Sequence, residues 1–203
     1  MKLVQVAGYL GSGKTTFIVT VAKRLSSEGV KIAILVNDVG GIPVDGKVME
    51  EYGLSVKEIG GGCICCQIAG NLRKTLGILA RTYQPDIVVI EPTGMAVPGS
   101  VKDVVRGGGM DVSFGPIVVL FDLSRAEKLL KFDPLRRLVS TQIADADIIA
   151  LSKADTVSAE QVEDSRRAVS SMNPGARTVT LSVNTGEGVD EVLEAIKSVT
   201  VSA

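Results

Sequence analysis

Apolar and polar positions fall into two alternating patterns along the chain. Four short runs, IAILV (32–36), IVVI (87–90), IVVLF (117–121) and IIAL (148–151), are apolar at every position. A strand with one wet face alternates, whereas strands covered on both faces of a parallel sheet read as unbroken runs of this kind. Between them lie stretches of helical period. Ile68, Leu72, Leu76 and Leu79 share one face of 67–82, and Val189, Val192, Leu193 and Ile196 share one face of 189–199. Strands are expected at 2–7, 30–36, 56–59, 86–91, 117–122, 148–152 and 177–182. Helices are expected at 14–28, 67–82, 100–106, 125–132, 134–144, 159–172 and 189–199, with Gly29 ending the first and Pro134 in the first turn of the fifth. The Gly, Pro and Asp content of 37–47 predicts a loop, 48–54 a turn or short helix, and 107–109 a flexible joint. Strand and helix alternate throughout. That predicts an α/β fold: a doubly wound, mostly parallel sheet with helices on both faces and ligands at the carboxyl ends of the strands.

Composition narrows what such a fold does. A chain of 203 residues suits one domain over 1–203. Hydrophobic content of 45% and a mean hydropathy of +0.31 are high, yet no apolar run nears the roughly 18 residues of a membrane span, so the surplus belongs to the interior. No leader pattern opens the chain, so a cytoplasmic location is expected and a membrane is not. A net charge of −1 with interspersed signs lacks the basic footprint of nucleic-acid binding. Aromatics at 3% argue against a stacking platform for bases. Histidine is absent, which removes the commonest general base and metal ligand. Chemistry falls to carboxylates, thiolates, lysine or bound water.

The first chemical signal is GYLGSGKTT (8–16), between the first strand and the first helix. It satisfies G-x-x-x-x-G-K-[ST] in the strand–loop–helix context that the motif requires. Gly8, Gly11 and Gly13 let the backbone turn its N–H groups of Gly11, Ser12, Gly13, Lys14, Thr15 and Thr16 toward phosphate oxygens at a helix N-terminus. Lys14 would reach the β/γ-phosphates, and the Thr15 hydroxyl would ligate Mg²⁺. EPTG (91–94) ends the fourth predicted strand, where Glu91 would hold a Mg²⁺-bound water and the Gly94 N–H would meet the γ-phosphate, making the loop a switch. In the loop at 37–47, Asp38 and Asp45 are the acids placed to ligate Mg²⁺ or to orient the attacking water. SKAD (152–155) follows the run IIAL, where GTPases carry [NT]-K-x-D. The Asp155 carboxylate would accept from guanine N1–H and its exocyclic amine, the stem of Lys153 would pack over the base, and Ser152 stands where Asn or Thr is usual. LSVNTGEG (181–188) resembles the later loop whose backbone, here at Ser182 and Val183, contacts the guanine carbonyl. Two base loops beside a phosphate loop favour GTP over ATP.

The only cysteines, Cys63, Cys65 and Cys66, sit together in GGGCICCQ. An odd, clustered set in a chain expected to be cytoplasmic points to metal or redox chemistry rather than a disulfide framework. Three thiolates suit Zn²⁺ or another thiophilic metal and leave a fourth position open, as transfer requires. A redox-sensing thiol cluster is the other reading.

Taken together, GYLGSGKTT, the NDVG loop with Asp45, GGGCICCQ, EPTG, SKAD and SVNTGEG resemble the GTPase domain of CobW-type P-loop metallochaperones, relatives of the hydrogenase and urease nickel-insertion GTPases. The likeness runs over roughly 1–190. The C-x-C-C motif directs it to the CobW branch, because the nickel relatives carry a Cys/His site. The resemblance implies a slow GTPase with Lys14, Asp38 and Glu91 as catalytic residues and GTP/GDP and Mg²⁺ as cofactors. It also implies a transition metal, Zn²⁺ first and Co²⁺ or Ni²⁺ next, passed to a client metalloenzyme or metal-cofactor assembly protein. No arginine finger or catalytic glutamine is evident, so a homodimer or a partner is expected to complete the site. The C-terminal domain typical of CobW proteins is expected to be absent. A nucleotide-gated regulator that protects a metalloenzyme without transferring metal is the competing class.

Overall fold

The computed structural model describes residues 1–36, 55–58, 68–106 and 112–198. Seven strands form one sheet: β1 (Lys2–Gly8), β2 (Ile32–Val36), β3 (Ser55–Glu58), β4 (Ile87–Glu91), β5 (Ser113–Asp122), β6 (Ile148–Ser152) and β7 (Arg177–Leu181). Their order is β3-β2-β4-β1-β5-β6-β7, and every neighbouring pair is parallel. The helices are α1 (Lys14–Ser27), α2 (Ile68–Thr82), α3 (Gly99–Arg106), α4 (Ala126–Lys131), α5 (Asp133–Ala144), α6 (Ala159–Met172) and α7 (Val189–Ser198). Short 3-10 turns at Leu123–Arg125 and Ala154–Thr156 follow β5 and β6.

Burial explains the unbroken apolar runs. Alternate residues of β1, β2, β4, β5 and β6 serve cores on opposite faces of the sheet, as when Ile32, Ile34 and Val36 face one side of β2 and Ala33 and Leu35 the other. On one face α1 and α7 pack Phe17, Ile18, Leu25, Val192 and Ile196 against Val4, Val6, Val118 and Leu120. The opposite face carries α2 and α3 over Leu3, Val88 and Ile90, and α4, α5 and α6 over Ile117, Val119, Phe121 and Ile149. This is the doubly wound α/β arrangement expected from the pattern.

The largest departure is β5, which begins at Ser113 rather than 117. Gly115 and Pro116 read as a break, yet Ser113 and Phe114 pair with Lys2 and Leu3 across a register shift that lies opposite them. A bulge is where a sheet tolerates proline. The expected loop at 37–47, the turn or helix at 48–54 and the joint at 107–109 lie outside the described residues. Among the described residues no helix is long and apolar enough to cross a membrane.

Leu76 of α2 is fully buried between the sheet and α3. Leu76→Ala should lower unfolding free energy by about 2–5 kcal/mol in a urea titration, through lost transfer energy and a residual cavity.

Candidate functional site

Residues at and beyond the carboxyl ends of β1, β4, β5, β6 and β7 meet along one edge of the sheet. Gly8 closes β1 with φ 138°, and a Cβ there would stand 2.4 Å from the Leu120 carbonyl oxygen. Only glycine lets the phosphate loop leave β1 this close to β5. The loop enters α1 through Gly13, which is left-handed and provides no side-chain cap. The first-turn N–H groups, with the positive end of the helix, are thereby presented to an anion. Lys14 is buried, and its Nζ donates to the carbonyl oxygens of Gly8 at 3.0 Å and Tyr9 at 3.4 Å. Thr15 Oγ1 donates to both oxygens of the buried Glu91 carboxylate at 3.0 and 3.1 Å. A hydroxyl and a carboxylate in contact beside the phosphate loop are the hard-oxygen donors that suit Mg²⁺.

The segment after β4 lies against the tip of the phosphate loop. A Cβ on Gly94 would stand 2.8 Å from the Leu10 nitrogen, so a larger residue would separate the two. Gln142 of α5, 1% exposed, holds this segment by donating to the carbonyls of Gly94 and Ala96, each at 3.1 Å.

Ser12, Gly13, Thr16, Leu120, Ser152, Lys153, Asp155, Thr156, Leu181, Val183 and Asn184 line one pocket beside this loop. Ser152 is buried, and its hydroxyl is directed to the carbonyls of Ser12 at 2.9 Å and Phe121 at 3.2 Å. The shorter side chain thus still braces the phosphate loop. Asp155 is exposed, with one carboxylate oxygen accepting from Ser182 Oγ at 2.6 Å and the other from Asn184 Nδ2 at 3.0 Å. Those two bonds hold its pKa below the usual aspartate value, so it stays an acceptor at neutral pH. Ser12 also carries a fully buried hydroxyl that no described residue satisfies, a cost that a bound polar ligand would relieve.

The fold thus gathers Gly11, Ser12, Gly13, Lys14, Thr15, Thr16, Glu91, Gly94, Ser152, Lys153, Asp155, Ser182 and Val183, all expected as site residues. Asp38, Asp45, Cys63, Cys65 and Cys66 lie outside the described residues. Among the described residues no three His, Cys, Asp or Glu side chains come together as a metal site. Asp122, Arg125, Gln142 and Asn184 were not expected here. Asp122 did carry a signal, an acid closing an apolar strand at the ligand end. Gln142 did too, as a polar residue seven positions after Leu135 on the inward face of α5.

Asp122 is fully buried. Burial pushes its pKa up, but hydrogen bonds from Lys153, Ser124 and Arg125 outweigh that and leave it below its ordinary 3.8.

A phosphate loop on a central parallel strand, with two further loops closing one pocket beside it, defines a P-loop nucleotide-binding domain. Residues 2–180 match the family described as CobW/HypB/UreG, nucleotide-binding domain, and the chain belongs to that family. Its members are GTPases. Among curated relatives, the chain is 32% identical to "Zinc chaperone YeiR" of Escherichia coli, over 80% of this chain and 49% of that protein. It is 27% identical to "Zinc-regulated GTPase metalloprotein activator 1" of Schizosaccharomyces pombe, over 93% and 47%. The chain therefore spans about half the length of these relatives. Among solved structures, the hydrogenase maturation factor HypB of Archaeoglobus fulgidus superposes with a TM-score of 0.74 at 22% identity, covering 97% of this chain and 89% of that one. Zn(II)-bound YjiA GTPase of E. coli superposes with a TM-score of 0.65 at 23% identity, covering 92% and 58%. These two likenesses concern the fold.

Because the Asp122 carboxyl titrates lower in the folded chain, its stabilising effect is complete above the unfolded pKa. It is lost as pH falls through the lower folded value. Asp122→Asn should therefore show a shallower fall in stability below pH 3.8 than the parent chain, read by denaturant unfolding at stepped pH.

Proposed function

We propose that this domain is the GTP-hydrolysing unit of a metallochaperone, in which nucleotide state governs a C-x-C-C transition-metal site. The observation that carries the reading is the convergence of the phosphate loop with Asp155, itself held by Ser182, and Val183 on one pocket. Relatives named as zinc chaperones support the metal half.

In this reading the phosphates sit on the N–H groups from Gly11 to Thr16. The Lys14 ammonium exchanges the Gly8 and Tyr9 carbonyls for β- and γ-phosphate oxygens. Thr15 and Glu91, with Asp38 and Asp45, hold Mg²⁺ directly or through water, and Mg²⁺ when bound offsets the phosphate charge. Asp38 or Asp45 orients the attacking water. Gly94 offers its N–H to the γ-phosphate. On the base side Asp155 takes guanine N1–H and the exocyclic amine, the Lys153 stem covers the ring, and the Ser182–Val183 backbone meets the guanine carbonyl. Turnover is slow without a group supplied by a second copy or a partner.

The cargo is Zn²⁺ first, with Co²⁺ or Ni²⁺ as alternatives, held by Cys63, Cys65 and Cys66. Three thiolates leave one coordination position through which a client metalloprotein can take the ion. A cytoplasmic setting keeps those thiols reduced.

Asp155→Asn should weaken GTP binding by about tenfold to a hundredfold and strengthen xanthosine triphosphate binding, since the amide offers a donor where guanine needs an acceptor. Unchanged affinities in a calorimetric titration would remove Asp155 from the base contact. For the metal half, Zn²⁺-loaded chain should release metal to a colorimetric chelator at different rates in its GTP-analogue and GDP states. A rate independent of nucleotide would sink the coupling.

A further inference from the structure

We propose that Asp122 is a positioning residue that joins the base loop to the phosphate loop, so that the placement of one sets the placement of the other. The inference rests on the pocket between them being the nucleotide site. Each Asp122 oxygen has a separate task. Oδ1 accepts from the Ser124 amide at 3.1 Å and the Ser124 hydroxyl at 2.6 Å, which fixes the carboxylate to its own turn. Oδ2 accepts from Lys153 Nζ at 2.8 Å and Arg125 Nε at 2.8 Å.

The two cations connect that oxygen to different loops. Lys153 is a left-handed non-glycine residue, φ 62°, that opens the turn carrying Asp155. Such a conformation is held only where surrounding contacts impose it. Arg125 Nη2, which also stands 2.8 Å from Asp122 Oδ2, donates to the Leu10 carbonyl of the phosphate loop, and the guanidinium lies over the Tyr9 ring at 5.7 Å. A Cβ on Gly11 would stand 2.9 Å from its Nη2. The path from Lys153 through Asp122 and Arg125 ends on Leu10, the residue against which Gly94 packs. Base loop, phosphate loop and the segment after β4 are thus joined by one carboxylate.

Burial keeps the joint closed. Asp122 is 0% exposed, whereas the Lys153 and Arg125 side chains are 37% and 36% exposed. An isolated buried charge is costly, so the carboxylate holds both cations rather than release either to water. None of these contacts touches the pocket's proposed ligand through Asp122 itself, so its action is on geometry.

The test is a double-mutant cycle on GDP affinity, with Arg125→Ala and Lys153→Ala singly and together in the full chain. Arg125→Ala should weaken GDP binding roughly threefold or more although it removes no proposed nucleotide contact. The combined loss should fall short of the product of the single losses by about threefold, because a linkage already cut at one end is not cut again. In an Asp122→Asn background the shortfall should vanish. If that background does not fold, the two-residue cycle decides alone. Single losses that multiply, or GDP affinity untouched by Arg125→Ala, overturn the linkage and leave the pocket assignment standing. A purely structural part for Asp122 would lower the melting temperature and leave the losses multiplying. A parent chain that binds no guanine nucleotide overturns the linkage together with the pocket assignment.

Discussion

Parallel pairing of β1 with β4 on one side and β5 on the other brings strand ends from distant parts of the chain onto a single edge. Gly8 lies opposite Leu120, Asp122 opposite Ser152, and Ser152 opposite Leu181. The register therefore delivers one chemical group per strand: Glu91 from β4, Asp122 from β5, Ser152 from β6 and, one residue beyond β7, Ser182. Parallel strands need long crossovers, and here these are helices that cover the sheet and leave its carboxyl edge open.

What the edge gathers is polar and largely buried, and that gives the site a defined shape. Lys14, Glu91, Asp122, Gln142, Ser152 and Ser182 are all less than a tenth exposed. Each has partners, and the partners belong to neighbouring loops: Thr15 for Glu91, Gly94 for Gln142, Ser12 for Ser152, Asp155 for Ser182. Moving any one loop would leave a buried polar group unsatisfied, which costs more than the bond itself is worth net.

The helices on the two faces support this edge differently. The phosphate-loop helix α1 shares its core with α7, and the pair is tied by ion pairs of Arg24 with Asp190 and Lys197 with Glu28. The Lys2 ammonium caps the end of α7 at the carbonyls of Ile196 and Lys197. Since β7 and α7 flank the Ser182 loop, that loop and the phosphate loop rest on a common apolar layer. On the other face α5 meets the segment after β4 through Gln142. A change in that segment would reach α5 by breaking two hydrogen bonds of one buried amide.

The fold class was legible in the chain because strands buried on both faces need apolar residues at every position, and because the phosphate loop names its own strand and helix. Most of the residues that the fold gathers at the candidate site were legible for a similar reason: they fall in short runs of consecutive residues at strand ends, as in GYLGSGKTT and SKAD. Local pattern could not show that Gly115 and Pro116 lie within β5, since the bulge that accommodates them exists only against β1. Nor could it show that Asp122 binds Lys153 across 31 residues, or that Arg125 reaches Leu10 across 115. Those contacts follow from strand order and register. A single acid after an apolar run reads as an ordinary strand end until the sheet sets β6 beside it and β1 behind.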